Sequence, residues 1–176
     1  MKTKFYPVHY RLNKKNRYLI LEIDDENEDT FYIDKKLIKI PVFTELKFLK
    51  QYAKKRDIKV VKDSEPIVHN LDIVLKWIKK NAKGKIECTD ILTVWNFFID
   101  MANTFELDND ELQAYRSKAV KAYKVYEKVF IGTNLPSVTQ NNPPYHPKFN
   151  SKELKLIQRV LTYGYKKFKK KRIKIK

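Results

Sequence analysis

The chain has 176 residues, 43% hydrophobic and 13% aromatic with only three Gly, which is enough apolar side chain for one buried core and excludes a disordered chain. Its formal net charge is +17, and eight of those charges fall in residues 166–176 with no acid among them. Three scattered glycines exclude a phosphate-cradling Gly-rich loop, and a single Cys excludes an internal disulfide or a cysteine metal cluster.

Residues 4–10, 17–23, 30–34 and 37–42 are rich in aromatic and β-branched side chains and read as strands. Polar turns at residues 13–16, 24–29 and 34–36 separate them, so residues 1–42 predict an antiparallel β meander. After Pro41 the apolar period lengthens: Leu46, Leu49 and Ala53, with Phe48 and Tyr52, predict an amphipathic helix over residues 44–56. Residues 58–61 read as a short returning strand. Asn70 is a cap for the next helix, which carries Leu71, Val74, Leu75 and Ile78 on one face, and Gly84 is its left-handed stop. From Cys88 or Thr89 to Thr104 apolar residues cover nearly the whole circumference, which predicts a central, buried helix. Asn109 caps a helix with Leu112, Tyr115, Ala119, Ala122, Tyr126 and Val129 inward and Gly132 at its end. Residues 133–150 read as a Pro- and Asn-rich loop, and Ser151 caps a last helix carrying Leu154, Ile157, Leu161 and Phe168. The whole reads as a single α+β domain: a meander over residues 1–42, about five helices over 43–168 and a basic tail over 169–176.

Little in this chain has the pattern of catalysis. His9, His69 and His146 have no metal-ligand spacing, and the sequence gives no reason to bring them together for acid/base cleavage of RNA. Cys88 has no activating neighbour beyond a helix start. A non-enzymatic protein without cofactor or metal is the expectation. No apolar run is long enough to span a bilayer and no signal stretch follows the basic start, so a cytoplasmic location and no membrane partner are expected.

Three charged or polar groups remain. Asn96 and Asp100 are four apart on the buried helix and share a face, as a ligand or metal site or, preferably, as a hydrogen-bond network tying the helix to a loop. Asp24, Asp25, Glu26, Glu28 and Asp29 put five carboxylates into six residues of a basic chain. Their spacing is not that of a calcium loop, so the functional reading is a basic protein partner and the plain one a solvated turn. Lys169, Lys170, Lys171, Arg172 and Lys174 form a basic segment suited to a nucleic-acid backbone or an anionic surface. The alternation from Arg172 to Lys176 also has strand period, and only six of the 38 basic residues of the chain are Arg, the residue of bidentate phosphate recognition.

The segment Leu92-Thr93-Val94-Trp95-Asn96-Phe97-Phe98-Ile99-Asp100 resembles the Leu-x-x-Trp-Asn-x-x-x-Asp helix of immunity proteins from bacterial polymorphic toxin and contact-dependent growth inhibition systems. Residues 126–139, with Asn134 and Pro136, are similar to the helix end and loop that follow it, and Tyr145, Pro147 and the last helix continue the order over about residues 67–168. The resemblance implies a protein that binds and neutralises one cognate toxin domain, often a nuclease, by covering its active-site region. It implies scaffold roles for Trp95 in the core, Asn96 and Asp100 as anchors, and residues 134–139 as loop. Inhibitors of basic nucleases are usually acidic, and a chain at +17 departs from that, so it either meets an acidic toxin surface or presents its acidic turn locally, the turn being the expected toxin contact.

Overall fold

Asn13 and Lys14, at φ 54° and 59°, reverse the chain between β1 (Lys4–Leu12) and β2 (Lys15–Ile23). Two successive left-handed residues give a hairpin turn whose twist matches that of the strands, and pairing runs unbroken from Lys4 opposite Ile23 to Leu12 opposite Lys15. Both turn amides are held, Asn13 N–H and Lys14 N–H each donating to the Asp72 carboxylate at 2.7 Å. The structure, a computed structural model, describes residues 3–25, 28–61, 68–82, 84–138 and 147–175.

β3 (Thr30–Phe31) and β4 (Ile40–Phe43) both pair antiparallel with β2 and so run in the same direction, which corrects the meander expected over residues 1–42: beyond the first hairpin the strands do not alternate. The expected strands at 30–34 and 37–42 are shorter because residues 34–39 close a tight turn. Asp34 Oδ1 accepts the N–H groups of Lys36 and Leu37 at 3.1 and 3.3 Å, and Ile38 sits at φ 51°. Asp34 Oδ2 accepts from the Tyr52 hydroxyl at 3.0 Å and from Arg56 at 3.1 Å, which locks that turn onto the helix beyond it. Two further strands make the sheet mixed. β5 (Val68–Asn70) runs parallel to β1, and β6 (Arg172–Ile175) parallel to β4, giving the order β5-β1-β2-β4-β6. The returning strand expected at 58–61 is a single bridge between Val60 and Phe5.

α1 (Leu46–Lys54) covers one face of the sheet, where Leu49, Tyr52 and Ala53 pack with Ile20 and Phe43. On the other face Val8, Tyr10, Leu12, Leu19, Ile40 and Val42 meet the second core, built by α2 (Leu71–Lys79), α3 (Cys88–Thr104), α4 (Lys121–Val138) and α5 (Ser151–Lys171). The fold is thus α+β. α3 is its axis, burying Ile91, Leu92, Val94, Trp95, Phe97, Phe98, Ile99, Met101 and Ala102, as its all-round apolar pattern requires. Phe97 is the hub, with the rings of Tyr10, Phe31, His69, Phe98 and Phe168 at 5.0–5.8 Å. At Gly164 a Cβ would stand 2.6 Å from the Phe98 ring, so α5 approaches α3 at a distance that only glycine permits.

Several helix boundaries correct the reading from sequence. Asn109 does accept the Leu112 N–H at 2.8 Å, but the continuous helix expected up to Gly132 is broken. The Leu112 carbonyl accepts the Trp95 indole N–H at 2.8 Å, residues 114–116 form a 3-10 turn, and α4 starts only at Lys121. Gly132 lies inside α4 rather than ending it: a Cβ there would meet Cys88 Sγ at 2.7 Å and Pro147 Cγ at 2.8 Å. Residues 133–138 of the expected loop are therefore helical, and residues 139–146 lie outside those described. Asn81 and Ala82, both at φ 55°, stop α2 before Gly84, although Gly84 is left-handed at φ 93°. Asn150 rather than Ser151 caps α5, in a capping box with Glu153. The basic tail is no tail: Lys169–Lys171 are the last turn of α5, and Arg172–Ile175 are β6.

Candidate functional site

One face of α3 carries Asn96, Asp100 and Asn103, at helical spacings of four and three. The fold lays Glu28 and Asp29, the segment leading into β3, across that face, and Tyr115 and Tyr126 close the other side. Together with Ile99 they line an open cleft of about 380 Å³. The last two acids of the acidic turn, Glu28 and Asp29, therefore share one cleft with the Asn96–Asp100 pair.

Its walls are latched by hydrogen bonds. Glu28 accepts from the Tyr115 hydroxyl at 2.6 Å and from Arg116 Nε at 3.0 Å, and Arg116 Nη2 pairs with its second oxygen. Hydrogen bonding to Arg116 holds the Glu28 carboxyl below the usual range despite some burial. Asn103 Oδ1 accepts from Gln113 at 2.9 Å and from Arg116 at 3.1 Å, while its amide donates to the Asp29 carbonyl at 3.4 Å. Thr104 Oγ1 accepts the Phe31 N–H at 2.7 Å and donates to the Asp100 carbonyl at 2.6 Å, which ties β3 to the end of α3. Tyr126 donates to Asn96 Oδ1 at 2.9 Å, the kind of tie from α3 to a neighbour that the sequence suggested for Asn96.

The carboxylates of Asp29 and Asp100 are left over. Both are half-buried and no described residue donates a hydrogen bond to either. Burial raises the pKa of Asp29, and it raises that of Asp100 well above the ordinary range, with the negative charge of Asp29 pushing Asp100 further. An ammonium or guanidinium entering the cleft would meet two carboxylates with nothing else to answer them.

The other singled-out residues are dispersed. Asp24 and Asp25 follow β2 outside the cleft lining, and Glu26 lies outside the described residues. Trp95 is fully buried in the core. Asn134 is in α4, donating to the Phe130 carbonyl at 2.9 Å, and Pro136 also falls within that helix, which corrects the loop expected there. Of the basic set, Lys169, Lys170 and Lys174 are exposed. Lys171 lies over the Phe105 ring at 4.4 Å, and Arg172 donates to the Tyr10 hydroxyl at 3.2 Å. His9 stacks on Tyr18 on the α1 side of the sheet, His69 packs on Phe97 on the α3 side, and His146 is outside the described residues. Burial, and then the charge of Glu87, push the Cys88 thiol up, away from nucleophilic character. Among the described residues no three His, Cys, Asp or Glu stand together to hold a metal ion, and no helix is long and apolar enough to cross a membrane.

Sequence reasoning missed Asn103, Tyr115 and Arg116. The first had a signal, since it continues the Asn96–Asp100 face by three residues. The other two are brought in by the 3-10 turn, which left no local mark.

No family model and no curated protein matches this chain. Among solved structures it is similar in fold to the C-terminal domain of SatS, in a crystal structure described as a complex with bromine, at a TM-score of 0.56 and 10% identity, covering 97% of this chain and 94% of that one.

Proposed function

We propose that this chain is a non-enzymatic immunity protein that neutralises a cognate toxin domain, a nuclease being the first candidate, by taking a Lys or Arg of the toxin into the acidic cleft. The observation that carries this reading is the pair Asp29 and Asp100, two half-buried carboxylates that face one cleft without donors. An isolated pair of buried acids costs stability, and an incoming cation relieves that cost only in the complex. The resemblance of residues 92–100 to the toxin-immunity helix supports the immunity class, while the toxin contact rests on the cleft. Binding a cation lowers the pKa of Asp100, so complex formation releases protons and tightens as pH rises through its titration.

The test is co-purification of the tagged chain with the product of the open reading frame immediately upstream. A stoichiometric complex is expected, with affinity at least about tenfold weaker in Asp29→Asn/Asp100→Asn, a change that keeps shape and removes charge. No complex at all would end the immunity reading, and an unchanged affinity in the double variant would move the interface off the cleft.

A second reading is nucleic-acid binding through the exposed Lys169, Lys170 and Lys174. Removing residues 166–176 would delete β6 and so cannot test it. The triple Lys→Gln variant can, with affinity for single-stranded and duplex DNA followed against salt.

A further inference from the structure

A second charged recess, at the hairpin end of β2, goes beyond that reading. It measures about 130 Å³ and is lined by Leu12, Asn13, Lys15, Arg17, Arg172 and Lys174. Strand register explains how four cations meet there. Lys15 and Arg17 pair with Leu12 and Tyr10, and Arg172 and Lys174 pair with Ile40 and Val42. All four partners belong to the core on the α3 side of the sheet, and paired residues share a face, so the four cations share that face too.

The recess is held in place from both sides. Arg172 Nη1 donates to the Tyr10 hydroxyl at 3.2 Å, and its guanidinium lies 5.5 Å from the Phe168 ring. Tyr10 is fully buried, so this Arg rests on the core with its remaining N–H groups to offer. Arg17 Nη1 is turned onto the neighbouring Asn16 carbonyl at 2.7 Å. The hairpin turn that carries Asn13 is clamped by the two amide hydrogen bonds to Asp72.

No acid lines the recess. Among the described residues none of its four cations forms an ion pair, whereas Arg56, Arg116 and Arg159 each have a carboxylate. Two arginines that carry no counter-charge, gathered with two lysines, make a positive field suited to a small anion. The volume is too small for a nucleoside and suits one tetrahedral oxyanion, whose oxygens match guanidinium forks and ammonium donors.

We propose that this recess is an oxyanion site that takes one phosphate group, as the free ion or at the end of a small phosphomonoester. The experiment is thermal unfolding of the whole chain in rising sodium phosphate, with ionic strength held constant by sodium chloride, and a parallel titration with glycerol 3-phosphate. A saturable rise in Tm is expected with phosphate. Arg17→Gln and Lys174→Gln should each raise the half-saturating concentration by about tenfold. Lys155→Gln, which removes an exposed lysine of α5 outside the recess, should leave it unchanged. Tighter binding of glycerol 3-phosphate would identify the ester as the source, and tighter binding of phosphate the free ion. A Tm that follows ionic strength alone, or a saturable rise that survives both Arg17→Gln and Lys174→Gln, would overturn the proposal. Lys174 is exposed, so a folded variant is expected there, with near-ultraviolet circular dichroism as the check.

Discussion

The two ends of β2 carry opposite charges and manage them by different chemistry. At one end the acidic segment folds over α3, and at the other Lys15 and Arg17 join Arg172 and Lys174. At about 3.3 Å per residue, the nine residues of β2 hold these ends about 25 Å apart. A crowded carboxylate can shed its charge by taking a proton, and burial shifts Asp29 and, further, Asp100 in that direction. A guanidinium has no such escape, because it keeps its proton throughout the ordinary pH range. The basic end must therefore stay charged and meet water or an anion, while at the acidic end burial favours the neutral form. One pole can respond to pH and the other only to what it binds.

The strongest way to break this comparison is to remove the hub between the poles. Phe97 touches Phe31, just after the acidic segment, and also Tyr10 and Phe168, beneath Arg172. Phe97→Ala should cost about 3–5 kcal/mol in urea unfolding. A loss well under 1 kcal/mol would mean that each pole is held up independently.

Asp100→Asn should act in the opposite direction, stabilising the free protein by on the order of 1 kcal/mol at pH 7 by removing an unanswered carboxylate. The sign follows from its raised pKa: the folded state holds the proton more tightly than the unfolded chain, so this contribution is present at low pH and is lost as pH rises through the folded value. Urea midpoints measured between pH 4 and 8 should fall with pH in the wild type and less so in the variant.

His69 gives the reverse slope. Burial against Phe97 lowers its pKa from the ordinary 6.5, with its Nδ1 3.2 Å from the Thr93 carbonyl. The unfolded chain then takes the proton first, so stability is full above about pH 6.5 and declines below it. His69→Gln should flatten that decline in the same urea series.

The smallest effect belongs to the basic pole. Sodium chloride at about 0.5 M should screen the repulsion among its four cations and stabilise the chain by a few tenths of a kcal/mol, less in Lys174→Gln. A destabilising effect of salt would show that attraction across the molecule outweighs repulsion within the recess.

Local chemistry made much of the fold legible. The apolar circumference of residues 88–104 located α3, the polar turn between two β-rich runs located the first hairpin, and Asn70 marked the start of α2 through its side-chain cap on the Ile73 N–H. Long-range chemistry hid the rest. Nothing near Gly132 says that Cys88 and Pro147 need the space of its missing Cβ, so a packing glycine looked like a stop signal. Nothing near Leu112 says that the Trp95 indole will take its carbonyl, so a broken helix looked continuous. The candidate site was legible in halves. The spacing of Asn96 and Asp100 showed a shared face, but only the fold puts Asp29 beside Asn103, 74 residues away in the chain.

The pairing of β6 with β4 bears on the order in which the molecule assembles. Lys39, at the start of that edge, donates to the carbonyl of Lys170, 131 residues further on. Closing so large a loop is entropically slow, and a parallel pair has no hairpin to nucleate it. The hairpin of β1 and β2 can form within its own neighbourhood, but the β4 edge waits for α5 to dock. Until then it presents unpaired backbone donors and acceptors to any extended chain that passes, so refolding at high protein concentration should favour intermolecular strand pairing at that edge over every other place in the sheet.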